Sequence, residues 1–287
     1  MTAAAPTRRR TIRRVFAPLA AKVGLGITAV VLFIALFGPF FAPHGPADIV
    51  GIPYQSPTSA FPLGTDFVGR DVLSRVLWGG RTVVGLAGLA TVIAYVIGAT
   101  IGLVAGYTRT LLDSTLMRMM DVILAFPAIL LLLVLATGAG SSAAVLVLGI
   151  ALVHIPGVAR IIRTATAEAA VRGYVEAAVA RGESMWSILF KEILPNLSGV
   201  IVADAGPRFT VSVLLVASVN FLGLGLQPPS ADWALMISEN REGLTIQPWA
   251  LVAPAVLIAL LTIGINTAAD AVARGMGQSL DLGEARR

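Results

Sequence analysis

Cysteine is absent from the chain, so disulfides, thiolate metal sites and cysteine nucleophiles are excluded. Lysine is almost absent too: Lys22 and Lys191 are the only two. Neither stands in a Gly-x-x-x-x-Gly-Lys-Ser/Thr loop, the usual backbone cradle for nucleotide phosphates. If ATP drives this protein, another chain must bind it. The two histidines, His44 and His154, supply no nucleophile–base arrangement, which argues against an intramembrane hydrolase. Charge of either sign is scarce. Only 13% of residues are Asp, Glu, Lys or Arg, against about 25% in an ordinary soluble domain.

What fills the chain instead is apolar sequence, 56% of all residues. It falls into runs of the length that crosses a bilayer, about 20 residues each. Six spans are expected, near 23–42, 82–106, 116–137, 143–163, 198–222 and 250–272. Each must be helical, because only a helix satisfies its backbone polar groups within one segment in lipid. The fold class is therefore an all-α integral membrane protein. Arg8, Arg9, Arg10, Arg13 and Arg14 precede the first span. Such an arm can bind nucleic acid, but before a first span it reads as the device that holds that end in the cytoplasm. The first span is too long, and Phe-Phe-Ala-Pro too poor a cleavage site, for a secretory signal. With six spans both termini are expected in the cytoplasm, and the remaining basic residues concentrate on the predicted inner side. The expected organisation is a basic arm over 1–22, a first helix over 23–42, an outer loop over 43–81, a core over 82–272 and a tail over 273–287.

The outer segment is rich in proline and glycine, from Pro43 to Gly64, and reads as irregular. Beyond it, Val72, Leu73, Val76 and Leu77 share one helical face, with Trp78 suited to the headgroup zone. The expectation is a short helix lying on the outer surface before the second span. No loop is long enough to build a core by itself.

The inner segment 164–197 carries the strongest signal. Alanine and glutamate favour helix as far as Arg181. Gly182 can adopt the left-handed conformation that ends a helix, and Ser184 can cap the next one. Met185, Ile188, Leu189, Glu192 and Ile193 follow at helical spacing, and Pro195 ends that helix or opens the next span. A helix, a sharp turn and a second helix would project from the membrane as an elbow suited to a groove on another protein.

Glu176-Ala177-Ala178, then Gly182 after three residues, then Leu194-Pro195, resembles the Glu-Ala-Ala loop of bacterial ATP-binding-cassette (ABC) importer permeases. The pattern departs from that family at Glu192, where an aliphatic residue is usual. Pro62-Leu63-Gly64-Thr65-Asp66, Gly69-Arg70-Asp71-Val72-Leu73-Ser74-Arg75, Phe221-Leu222-Gly223-Leu224-Gly225-Leu226-Gln227-Pro228-Pro229 and Asp232-Trp233 look like the C-type subunit of the dipeptide/oligopeptide permease group. The likeness covers roughly residues 15–275. It implies the ABC importer permease fold, with Glu176, Ala177, Ala178, Arg181, Gly182, Glu183 and Ser184 forming a coupling helix that seats in a cytoplasmic ATPase. It also implies a B-type second permease subunit, an extracytoplasmic substrate-binding protein and a peptide substrate, or nickel, glutathione or haem in related carriers. No covalent chemistry and no cofactor are expected of this chain. Asp66, Arg70, Asp71 and Trp233 become candidates for contacts at the outer face.

Polar residues inside spans are functional candidates by default. Asp204 and Arg208 stand four apart, on one helix face, and are expected to pair. His154 reads as a packed, hydrogen-bonded residue, and His44 with Asp48 is too sparse for a metal site. An ion-coupled secondary transporter is the rival from another class. It would need related halves and ionisable groups near the midplane, and neither is evident.

Overall fold

The structure, a computed structural model, describes residues 19–284. Most of the expected basic arm and the last three residues of the tail lie outside the described residues. Helix α1 (Leu19–Phe37) is extended to Phe41 by a 3-10 turn that opens at Gly38. Then come α2 (Val72–Thr108), α3 (Leu111–Leu124), α4 (Ala128–Ala139), α5 (Ala143–Ala169), α6 (Gly173–Ala180), α7 (Ser198–Phe221), α8 (Trp233–Glu239) and α9 (Trp249–Glu284). Among the described residues, extended pairing is limited to two isolated bridges, Ile49 with Arg70 and Thr65 with Asp71. Five helices are long and apolar enough to span a membrane unbroken, and α3 with α4 makes a sixth crossing if counted as one.

Close helix contact is built from small residues. Gly98, Gly102 and Gly106 repeat every four positions along α2 and lie against α5. A Cβ on them would sit 2.9 Å from the Ile155 carbonyl oxygen, 2.6 Å from that of Ala159 and 2.4 Å from that of Arg163. In lipid, where apolar area alone does not draw helices together, such backbone approach is the main source of packing energy. α1 closes on α9 in the same way, with Gly24 and Gly264 facing each other's helix. Thr91 of α2 and Ser212 of α7 share a buried hydrogen bond of 2.9 Å.

Three expectations are corrected. The helix expected to lie on the outer surface is instead the first two turns of α2, continuous with the second span. Asp71 caps it by accepting from the backbone N–H groups of Leu73 and Ser74. Gly79 and Gly80, which might have broken it, seat the Trp233 indole: a Cβ on Gly80 would lie 2.4 Å from that ring. At 1.5 Å per residue the 37 residues of α2 reach about 56 Å, well beyond a hydrocarbon core of about 30 Å. The third span is not a straight helix over 116–137. It bends by 81° between α3 and α4, because Pro127 lacks a backbone N–H and disfavours helix at Phe126. Finally, the last span runs on as helix to Glu284, through most of the expected tail.

No single loop expected on the outer side forms a core, but two of them combine. The segments 42–71 and 222–248 pack into a cap over one end of the bundle. Gln247 donates its side-chain N–H to the Leu63 carbonyl, and the Phe67 N–H donates to Asn240 Oδ1 at 3.0 Å. The Tyr54 ring lies on Gly243, where any Cβ would clash.

Candidate functional site

The elbow leaves the end of the bundle opposite the cap. α6 stops in two hydrogen bonds, Gly182 N–H to the Val179 carbonyl at 2.9 Å and Glu183 N–H to the Ala178 carbonyl at 3.2 Å. This is the Schellman stop, and it requires the left-handed residue that Gly182 supplies at φ +78°. Ser184 caps the second helix, its hydroxyl accepting from the Ser187 N–H. That helix passes through a π-helical turn, Ile188–Ile193, and Leu194–Asn196 before α7. Val175 and Ala178 turn inward onto Ile188, Leu189 and Ile193. Glu176, Ala177, Arg181, Gly182 and Ser184 face outward. Arg181 clamps Glu183 at 2.6 Å and lies 3.5 Å from Glu192. Glu192, the departure from the family pattern, therefore has a partner within the elbow. The Arg181 guanidinium, together with the Ser187 hydroxyl, holds the Glu183 carboxyl below the usual carboxylate range. Trp186 and Phe190 are exposed, with rings 5.9 Å apart and nearly parallel. Sequence reasoning passed over this pair, though their spacing of four was visible in it.

Asp66, Arg70, Asp71 and Trp233 all lie at the cap end, Asp66 bonded to Arg70, but they are not outward-facing. All four are nearly or fully inaccessible, because each is consumed by internal bonds. Asp66 Oδ2 takes the Arg70 Nε and Arg75 Nη1, both at 2.6 Å. Its Oδ1 takes the backbone N–H groups of Val68, Gly69 and Arg70. Glu239 completes the cluster, 2.7 Å from Arg75 and 3.1 Å from Arg70. Burial pushes the Asp66 carboxyl up, but the Arg70 N–H and the two guanidinium groups hold it below the ordinary range. Asp232 caps α8 and is fully buried. Burial pushes its carboxyl up to about 6 against the opposing pull of its hydrogen bonds and of Arg75. Trp233 Nε1 donates to the Val76 carbonyl at 2.8 Å. These residues lock two distant loops together. Arg75 and Glu239, missed as site residues, are 164 positions apart, so no local pattern joins them.

Within the bundle, Arg208 Nε bonds Asp204 Oδ2, which confirms the expected pair. The same oxygen accepts the Tyr95 hydroxyl of α2 at 2.5 Å. The Arg208 guanidinium lies on Gly157 of α5, where a Cβ would be 2.6 Å from Nη1. His154, one turn earlier, is buried, and its Nε2 has no hydrogen-bond partner among the described residues. The hydrogen-bonded histidine expected from sequence is thus not found at that nitrogen. His44 stands 3.5 Å from Asp71, while Asp48 caps Gly45. No group of three metal-ligating side chains occurs among the described residues.

The chain is a bundle of helices of membrane-spanning length, with a bonded cap at one end and an exposed elbow at the other. The chain belongs to the family of binding-protein-dependent transport system inner membrane components, whose profile matches residues 98–278. The N-terminal transmembrane domain of oligopeptide transport permease C matches residues 8–59. Among its relatives, the glutathione transport system permease protein GsiD of Pectobacterium atrosepticum is 37% identical over 79% of this chain and 74% of its own. The peptide transport system permease protein SapC of Escherichia coli is 32% identical over 94% of both chains. The dipeptide transport system permease protein DppC of Alkalihalophilus pseudofirmus is 32% identical over 90% of this chain and 84% of its own. In fold, the chain resembles the inward-facing MetNI methionine ABC transporter, with a TM-score of 0.53 at 20% identity over 70% of this chain and 96% of that one. The protein is the multi-pass permease subunit of an ABC importer in the inner membrane.

Proposed function

We propose that this subunit imports short peptides by alternating access, with the elbow over Glu176–Ser184 as its coupling element. A separate binding protein delivers the peptide at the cap end, and ATPase chains engage the elbow on the cytoplasmic side. A second, B-type permease subunit completes the path. ATP is bound and hydrolysed on the other chains, and this one needs no cofactor. Both termini lie in the cytoplasm. The observation that carries this reading is the elbow. Its inward residues fasten it to the bundle, while Glu176 and Ala177 face outward and Gly182 forms the exposed turn at the tip. Energy transfer requires that nucleotide and peptide prefer different states of one bistable body, and a lever fixed at its root and free at its tip can report one to the other. Names of relatives support peptide over glutathione: those of Alkalihalophilus and Escherichia are named for dipeptide and peptide, while one is named for glutathione.

Co-purification of the ATPases with elbow variants tests the reading. A side chain at Gly182 meets no atom within 4 Å, so Gly182→Val acts through its left-handed backbone alone. It is expected to lower ATPase association and uptake about tenfold, the equivalent of about 1.4 kcal/mol, while membrane assembly persists. Glu176→Lys is expected to act in the same direction by reversing a charge at the docking face. Unchanged ATPase binding and uptake in both variants rejects the coupling role. For orientation, a cysteine placed at Ser59 is expected to react with an impermeant reagent from outside, and one at Ser184 only after permeabilisation.

A further inference from the structure

Resting on the coupling reading of the elbow, we infer that two ion pairs between α3 and α5, Asp113–Arg163 and Asp121–Arg160, carry the elbow's movement into the bent third crossing. The four side chains are positioning residues. They act by setting where α3 stands when the elbow moves.

The elbow moves with α5. That helix ends at Ala169 and α6 begins at Gly173. Leu103 of α2, Ile162 of α5, Val175 and Ala178 of α6 and Leu189 beyond the turn share one buried cluster. A displaced elbow therefore displaces the inner end of α5, and the close contacts at Gly98, Gly102 and Gly106 bring α2 with it.

α3 joins this body by other means. Of its 14 residues only Asp113 and Met120 are buried, while Leu111, Leu112, Met119, Val122 and Leu124 are exposed. Lipid tails are as apolar as leucine, so such a face gains little by turning to protein. Directional bonds then decide where the helix stands. Arg163 supplies them as a fork, Nε to Asp113 Oδ1 at 2.5 Å and Nη2 to Oδ2 at 2.6 Å. A bidentate pair fixes an orientation as well as a distance. About two turns further along α3, Asp121 Oδ1 accepts from Arg160 Nη2. Arg109, just ahead of α3, donates to the Ala167 carbonyl in the last turn of α5. All three ties from this segment run to α5.

At its other end α3 has room to turn. The chain bends by 81° between α3 and α4, and Ala125, Phe126 and Pro127 are exposed. α4 is held elsewhere, by Leu132 in the main core. A few residues at the end of an element are what a hinge requires. α3 can thus follow α5 without dragging α4.

The test uses the complete transporter in proteoliposomes, with its binding protein, and reads trialanine imported per ATP hydrolysed. A variant that merely folds less lowers import and hydrolysis in step and leaves this ratio alone. Asp113→Arg sets two cations against each other and is expected to cut the ratio about tenfold, while ATPase association and hydrolysis persist. Adding Arg163→Asp restores a pair and is expected to recover most of the ratio. Asp121→Asn keeps the shape and removes a charge at a side chain 57% exposed. It is expected to cut the ratio about twofold, and it carries the test if Asp113→Arg fails to assemble. An unchanged ratio, no recovery in the exchange, or import and hydrolysis lost in step overturns the link and leaves the coupling reading standing. A second readout is independent of the peptide. Spin labels at Ser59→Cys in the cap and Ser114→Cys on α3 are expected to change separation on trapping with ATP and vanadate, and to stay put when Asp113→Arg or Asp121→Asn is added. No change without the added variant, or an equal change with it, overturns the link. Should the wild type import no trialanine, the peptide reading falls and this separation alone decides the link. Should the ATPases fail to co-purify with the wild type, the coupling reading falls and the link with it.

Discussion

At the cap end, Asp66, Arg70, Arg75 and Glu239 are withdrawn from solvent and spend their charge on one another. At the elbow end, Arg181 stays 55% exposed beside Glu183 and Glu192, an aromatic pair stands in the open, and the turn rests on a glycine with nothing around it. The same residue types do different work at the two ends. Buried charges joined in a network hold two loops in one geometry, and breaking such a network is costly because the survivors cannot be hydrated. Exposed ion pairs contribute little to stability, so a region built from them can exchange its contacts for a partner's. On the proposed function, the difference separates a part that holds one geometry from a part free to engage and release a partner.

The largest effect is expected from Arg75→Met. It leaves two buried carboxylates, Asp66 and Glu239, to the single guanidinium of Arg70 and should cost about 3–5 kcal/mol, seen as lost folded yield and a lowered thermal midpoint in detergent. If the midpoint is unmoved, the cap is no more a lock than the elbow is.

Next is the pH dependence of the cap. The Asp232 carboxyl, ordinarily near 3.8, is pushed up to about 6 in the folded protein, so protonation favours folding. Its contribution is fully present below about pH 4 and is lost as pH rises through about 6, on the order of 3 kcal/mol. Asp66 works in the opposite sense: its carboxyl is held below the ordinary value, so its contribution is present above about pH 4 and lost on acidification. The interval between pH 4 and 6 therefore belongs to Asp232. Thermal midpoints across that interval should fall in the wild type and flatten in Asp232→Asn, which keeps the helix cap. No effect is expected at the elbow.

A matched pair of glycine variants sharpens the contrast. Gly80→Val drives a Cβ into the Trp233 ring and Ala35, an overpacking expected to cost about 1–3 kcal/mol. Gly182→Val meets no atom and should cost about 1 kcal/mol through its backbone alone, with its main effect on ATPase association. Equal losses of stability would erase the distinction between the two ends.

The smallest effect is expected from Ser184→Ala. It removes one cap at an exposed helix start and should cost about 0.5–1 kcal/mol, read as faster amide exchange over Met185–Leu189. The cap should be indifferent to it.

Much of this was open to reading from the residues. Gly182 and Ser184 are local signals, a left-handed stop followed by a cap, and the elbow forms as they indicate. Asp204 and Arg208 pair because a spacing of four puts them on one face of any helix. The Gly98, Gly102 and Gly106 series was equally legible as a packing face, and its period of four is the signal. Other features were beyond reach. Val72, Leu73, Val76 and Leu77 have the pattern of a surface helix, and nothing near them announces that Trp233 would lie across Gly79 and Gly80. The bend at Pro127 was hidden by apolar residues on both sides, which hydropathy reads as one span.

By itself the sequence determined the class of the molecule. Apolar runs of bilayer length must become helices, since lipid offers no other partner for backbone groups, and proline, glycine and serine set the local stops. Only the tertiary structure decided where the charges go. Whether Arg75 faces water or Glu239 depends on the start of α2 meeting the end of α8, 164 residues away, and how closely the Arg208 guanidinium approaches α5 depends on a glycine of that helix. Such outcomes turn on the distances between elements, which packing sets and local spacing along the chain does not encode.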